Sequence, residues 1–79
     1  MQDLKFARSA RKHRIGRAHA LHVIHNTTHI RYPPTDDLDA RIEWIGPDDR
    51  GVELEIIAVE LPDLWLVIHV MPTALRRKP

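Results

Sequence analysis

Two stretches of this 79-residue chain place apolar residues two apart, "ARIEWIG" (40–46) and "VELEIIAVEL" (52–61), a third, "LWLVIHVM" (64–71), is apolar except for His69, and the gaps between them are short. Residues two apart share one face of a strand, so each stretch reads as a strand with one buried side. Only "PDDRG" and "PD" separate them. A parallel crossover takes a dozen residues or more, so consecutive strands must run antiparallel, as a meander. Matching the apolar faces sets Ile42 near Ile56, Trp44 near Leu54, and Ala58 near Leu66. The other face then carries Arg41, Glu43, Glu53, Glu55, Ile57, Val67, His69 and Met71. It is half polar, and its apolar residues have nothing left in so short a chain to cover them.

Upstream the period changes. Asp3 can cap a first helix over about 3–13, with Leu4, Ala7 and Ala10 on one stripe. Gly16 in "HRIGR" suits a left-handed helix end or a tight turn. A second helix fits about 17–26, with Ala18, Leu21 and Ile24 or His25 facing inward. "THIRY" (28–32) is a short strand stopped by Pro33 and Pro34, "TDDLD" a loop, and "TALRRKP" (73–79) a helical turn or basic tail. The expected fold is therefore α+β: two N-terminal helices packed on one face of a four-stranded, mainly antiparallel sheet. Strands are expected at about 28–32, 40–46, 52–60 and 64–71, all within one domain spanning 1–79.

A chain this small buries only roughly 60% of the surface its unfolded form exposes, so its stability margin is thin. With no cysteine it has no disulfide, thiolate metal site or cysteine nucleophile, which fits a reducing cytosol. A hydrophobic content of 43% argues against disorder. No apolar run approaches the ~20 residues of a membrane helix. "MQDLKFARSARK" has no apolar signal core, so no secretion signal is expected. A partner chain or self-association is the remaining source of stability.

The net charge of +1 conceals segregation. Lys5, Arg8, Arg11, Lys12, Arg14, Arg17 and Arg31 lie in residues 1–32 against Asp3 alone, with five of the six histidines. Residues 36–63 hold ten acidic side chains against Arg41 and Arg50, and "LRRKP" is basic again. Such a dipole attracts polyanions at one end and basic partners at the other. The same pattern also describes two ordinary solvated faces.

The order of these features resembles a known family. "RKHRIGRAHALHVI" looks like the "RKHG-(V/I)-x-x-x-x-A" opening of BrnT-type toxins, bacterial proteins with a RelE-like ribonuclease fold. "ARIEWIGPDDRGVELEIIAV" resembles their "R-x-x-x-IG" strand, turn and "RG-x-x-L-x-V-x" strand, and "LVIHVMPTALRRK" their last strand and Arg-rich segment. Two departures stand out. The closing basic segment is stunted, and His69 stands where the family often has serine, with Met71 near its arginine.

The resemblance implies the toxin of a type II toxin–antitoxin system: a cytoplasmic, metal-independent endoribonuclease that cuts mRNA and uses no cofactor. A cognate antitoxin, of ribbon-helix-helix type, would hold it inactive, and operator DNA would be met only through that complex. A non-catalytic protein-binding module of the same fold is the other reading, favoured by the acidic sheet face and the stunted tail.

Metal-free RNA cleavage requires removal of the 2′-hydroxyl proton, stabilisation of the phosphorane charge, and protonation of the leaving 5′-oxygen. Histidine exchanges protons near neutral pH, and arginine or lysine supplies charge. Candidate catalytic residues are Arg11, Lys12 and His13, together with Arg41 and His69 on the open sheet face. Glu55 is expected opposite His69, where a carboxylate would hold the imidazole's tautomer, with Arg41 diagonal to it. An ion pair filling a wet sheet face explains the same residues. Arg8, Arg14, Arg17, Arg76 and Arg77 are candidate RNA contacts; Glu43, Glu53, Glu55 and Met71 are candidate antitoxin contacts. His19, His22, His25 and His29 have spacings compatible with zinc, but their drift around a helix and lack of acidic neighbours leave exposed helix histidines as the favoured reading. Trp44 and Trp65 read as core or interface aromatics.

Overall fold

The computed structural model describes residues 3–77 of the chain. Five strands form one mixed sheet: β1 (Leu4–Phe6), β2 (Ile30–Tyr32), β3 (Arg41–Pro47), β4 (Glu53–Glu60) and β5 (Trp65–Pro72). Their order is β1-β5-β4-β3-β2, with β1 parallel to β5 and the remaining pairs antiparallel. A single α-helix, α1 (Arg17–Asn26), crosses one face and links the two edges of the sheet. Short 3-10 helices occupy Arg8–Arg11 and Thr73–Arg77.

This overturns the expected two helices on a four-stranded antiparallel sheet. The first predicted helix is replaced by β1 and a 3-10 helix, and its physical cause is the free edge of β5. Asp3 does not cap a helix there; its carbonyl accepts the Trp65 N–H at 2.8 Å, and Ala7 N–H donates to the Val67 carbonyl at 2.8 Å. Leu4 and Phe6 turn toward the core while Lys5 stays exposed, a two-residue period hidden inside the apparent helical stripe. A helix of about eleven residues in water is marginal without tertiary packing, so the ladder wins. Downstream, the left-handed residue is Arg14 at φ 58°, not Gly16, which is extended (φ −63°, ψ 146°) and precedes α1.

Ala20, Val23 and Ile24 form the buried stripe of α1; of the residues expected to face inward, Ile24 is buried, Leu21 is half-buried against the core, and Ala18 and His25 are exposed. Small apolar residues lie on several sides of this helix, so its own pattern leaves the rotation open and the sheet sets it. Against the stripe pack Ile42 and Trp44 of β3, Leu54, Ile56 and Ala58 of β4, and Val67 and Val70 of β5. Gly46 lies so close to Thr27 that any Cβ there would collide with the threonine side chain, which brings the end of α1 down onto β3. Beyond that end, His29 stands edge-on to Trp44 and Trp65, which are tilted to each other at 56°, with centroid separations of 5.3–5.9 Å.

The β3–β4 register differs from expectation by two residues: Ile42 pairs with Ala58 and Trp44 with Ile56. A two-residue slip preserves which face each side chain occupies, so the buried set survives it. The turn decides the register. Asp48 N–H bonds the Val52 carbonyl at 2.8 Å, and Gly51 takes φ 82°, closing a tighter hairpin than a five-residue loop. The buried Asp48 carboxylate accepts the backbone N–H groups of Arg50 (2.8 Å) and Val52 (3.0 Å) and the Arg50 guanidinium (2.6 Å). Burial pushes this carboxyl up, but those hydrogen bonds outweigh it and hold the group at about 2, below its ordinary 3.8.

Acid sensitivity follows. A carboxyl lowered on folding contributes stability above its unfolded value and loses it as pH falls through the folded one. Denaturant midpoints are expected to be level above about pH 5 and to drop between about pH 4 and pH 2. Asp48→Asn should lower the neutral-pH midpoint and flatten part of that drop. Asp49, hydrogen-bonded to His19, and Glu60, hydrogen-bonded to Arg31, are also lowered and supply the rest. A wild-type midpoint unchanged down to pH 2 would contradict this account.

β5 contains a bulge. Ile57 pairs with His69 and Ala58 with Val67, leaving Ile68 unpaired, and Ser9 Oγ donates to the Ile68 carbonyl at 2.8 Å. The extra residue puts Val67 on the buried face and His69 on the open one, whereas simple alternation sets both on the same side. No helix among the described residues is long and apolar enough to cross a membrane.

Candidate active site on the open sheet face

The face away from α1 carries one connected polar cluster at its β4–β5 end. Glu55 is 8% exposed although it faces away from the apolar core. One carboxylate oxygen meets His69 Nε2 at 3.0 Å, and the other accepts the Arg76 guanidinium at 2.9 Å. Glu55 is not directly opposite His69, as the expected register has it, but opposite Met71; it reaches His69 along the diagonal. Arg76 arrives because the C-terminal 3-10 helix folds back over β4, where Thr73 Oγ1 donates to the Glu53 carboxylate at 2.7 Å.

His13 completes the group. Its ring stands edge-on to that of His69, centroids 6.2 Å apart and planes at 81°. The 3-10 helix Arg8–Arg11 positions it, anchored by Ser9 on the bulge and by Ala10, 3% exposed, in the core. Both imidazoles are half-buried. When His69 is neutral, a Nε2–H donated to Glu55 leaves Nδ1 as the free acceptor, the form a general base needs. The cluster thus offers two proton-exchanging groups, a carboxylate that orients one of them, and a guanidinium.

The other sequence candidates are distributed elsewhere. Arg41 lies over the Tyr32 ring at 5.7 Å and pairs with Val59, four residues along β4 from Glu55, so it does not join the histidines. The reason is the register: the tight turn moves the start of β3 toward the far end of β4. Arg11, Arg14 and Arg17 line a separate hollow near the start of α1. Lys12 and Arg8 are exposed and belong to neither group. Arg11, Lys12 and His13 therefore do not act as one triplet. The Arg77 side chain lies outside the described residues.

Among the candidate partner contacts, Glu43 accepts a hydrogen bond from Tyr32 at 3.1 Å, raising that phenol above its ordinary value. Glu53 is held by Thr73, and Met71 is half-buried beside Glu55. Ile30, Tyr32 and Ile45 are exposed on the same face. Glu55 and Arg76 carry more of the cluster's geometry than their assignment to partner and RNA contacts implied. The fold-back of 73–77 that joins them has no periodic signal in the sequence.

Away from this face, ligand atoms of His19, Asp48 and Asp49 lie within 4.8 Å of one another. The Asp48 oxygens there are committed to Arg50 and the turn backbone, so the grouping reads as a hairpin lock that ties α1 to the β3–β4 turn. His22 and His25 are exposed on α1. Comparison with protein-family models, with curated proteins and with solved structures gives no match, so the residues themselves carry the functional reading.

Proposed function

We propose that this chain is a metal-independent endoribonuclease, acting as the toxin of a type II toxin–antitoxin pair and restrained by a cognate antitoxin. The observation that carries the chemistry is the facing pair His13 and His69, with Glu55 joining His69 to Arg76. His69 Nδ1 takes the 2′-hydroxyl proton as the oxygen attacks phosphorus. Arg76 offsets charge on the pentacoordinate phosphate. Protonated His13 gives its proton to the leaving 5′-oxygen, yielding a 2′,3′-cyclic phosphate and a free 5′-hydroxyl. The toxin assignment draws on the motif resemblance, and mRNA in the cytoplasm would be the substrate.

The test is incubation of single-stranded RNA with pure protein in EDTA. Cleavage leaving cyclic-phosphate ends supports the proposal; RNA left intact at micromolar protein would sink it. A second reading, a non-catalytic protein-binding module, is favoured by the exposed Ile30, Tyr32 and Ile45 on the uncovered face. Intact RNA with tight capture of a basic amphipathic peptide would decide for it.

A further inference from the structure

Beside the turn that bears His13, the chain forms a hollow of about 320 Å³ lined by Phe6, Ala10, Arg11, Arg14, Ile15, Gly16 and Arg17. Its size lies at the low end of small-ligand sites, roughly 300–1,000 Å³. Ala10 is 3% exposed, and Phe6 and Ile15 pack against the core, so the apolar floor is fixed by the fold. The rim is cationic. Among the described residues, Arg11, Arg14 and Arg17 have no carboxylate partner, while the guanidiniums of Arg31, Arg50 and Arg76 each have one. Three unneutralised guanidiniums around one concavity repel one another, and an anion removes that repulsion.

The Arg17 guanidinium lies over the Phe6 ring, 5.0 Å from its centroid. A guanidinium backed by an aromatic ring presents a flat cationic surface, the kind on which an unpaired base stacks. Apolar floor, stacking plane and phosphate-binding rim together match one unit of a single strand. A duplex keeps its bases stacked inward, and a run of acidic residues alone has no ring for the floor. Arg11 and His13 are two residues apart, so the hollow and the histidine pair are separated by at most about 7 Å of backbone at that point.

From this geometry we infer that the hollow seats one unpaired nucleotide next to the scissile bond, its phosphate on Arg11 and Arg14 and its base against Arg17, Phe6 and Ile15. The inference rests on the endoribonuclease reading for its substrate class, and binding can be measured without chemistry.

A fluorescent 2′-O-methyl oligonucleotide, which lacks the attacking hydroxyl, is titrated into the full chain at several salt concentrations. Arg14→Ala and Arg17→Ala should each weaken binding by roughly tenfold. Arg14→Ala should also reduce the salt slope by about 0.7, the value for one single-strand phosphate contact. Ile15→Ala should weaken the intact oligonucleotide while leaving an abasic one unchanged. Arg31→Gln, an equal charge loss at the opposite edge, should change neither affinity nor slope. Equal binding of intact, abasic and poly-glutamate probes overturns the inference, as does a salt slope indifferent to Arg14. Oligonucleotide binding with these signatures but no cleavage of unmodified RNA upholds the hollow and removes the nuclease. Cleavage with unchanged binding in the arginine variants does the reverse.

Discussion

His69→Ala is expected to lower RNA cleavage by roughly 10²–10⁴-fold, the usual loss on removing a positioned general acid or base. His69 is half-buried on the open face, outside the apolar cluster, so the variant should keep its circular dichroism and unfolding midpoint close to wild type. Glu55→Gln is the companion variant. An amide can still accept the Nε2–H but adds no charge, and it loosens the tie to Arg76, so a smaller loss concentrated in kcat is expected. His13→Ala should approach the His69→Ala loss. The double variant should fall little below either single one if the two act in one step. Near wild-type cleavage by His69→Ala would remove the cluster from the mechanism.

The largest stability effect is expected at Trp44. Its side chain is 1% exposed and joins β3 to α1, β4 and the Trp65–His29 cluster. Truncation of a buried large aromatic to alanine costs about 3–5 kcal/mol. A domain this small is worth on the order of 5 kcal/mol in total, so Trp44→Ala should be largely unfolded at room temperature. Trp44→Phe retains most of the buried ring and should stay folded with a lowered midpoint. Urea titration followed by far-ultraviolet circular dichroism separates the two. A Trp44→Ala midpoint within a few tenths molar of wild type would mean that the core does not depend on this residue.

These two variants divide the molecule. Trp44 acts through burial, which is non-directional and readable from alternation; His69 acts through a placement that depends on one unpaired residue. Ile68 has no partner on β4, and without that bulge Val67 and His69 would share one face, so the core could not hold Val67 while His69 stays on the open side. The same bulge exposes the carbonyl that Ser9 grips, which sets the 3-10 helix and through it His13. One irregularity in β5 thus links the strand histidine to the turn histidine, which lies 56 positions earlier in the chain.

The alternation of Ile42 with Trp44, and of Leu54, Ile56 and Ala58, settled by itself which side of the β3–β4 hairpin would be dry, because a period of two leaves no freedom in facing. The short gaps around "PDDRG" and "PD" likewise required antiparallel neighbours. Charge segregation and the facing of Glu55 toward the open side were equally local properties. What tertiary structure alone decided was the fate of residues 4–11, the rotation of α1, the pairing register and the bulge. In each, two local conformations were close in energy, and hydrogen bonds or packing from distant strands made the choice. The joining of His13, His69, Glu55 and Arg76 belongs to that second group, since it needs four segments that only the assembled sheet brings together.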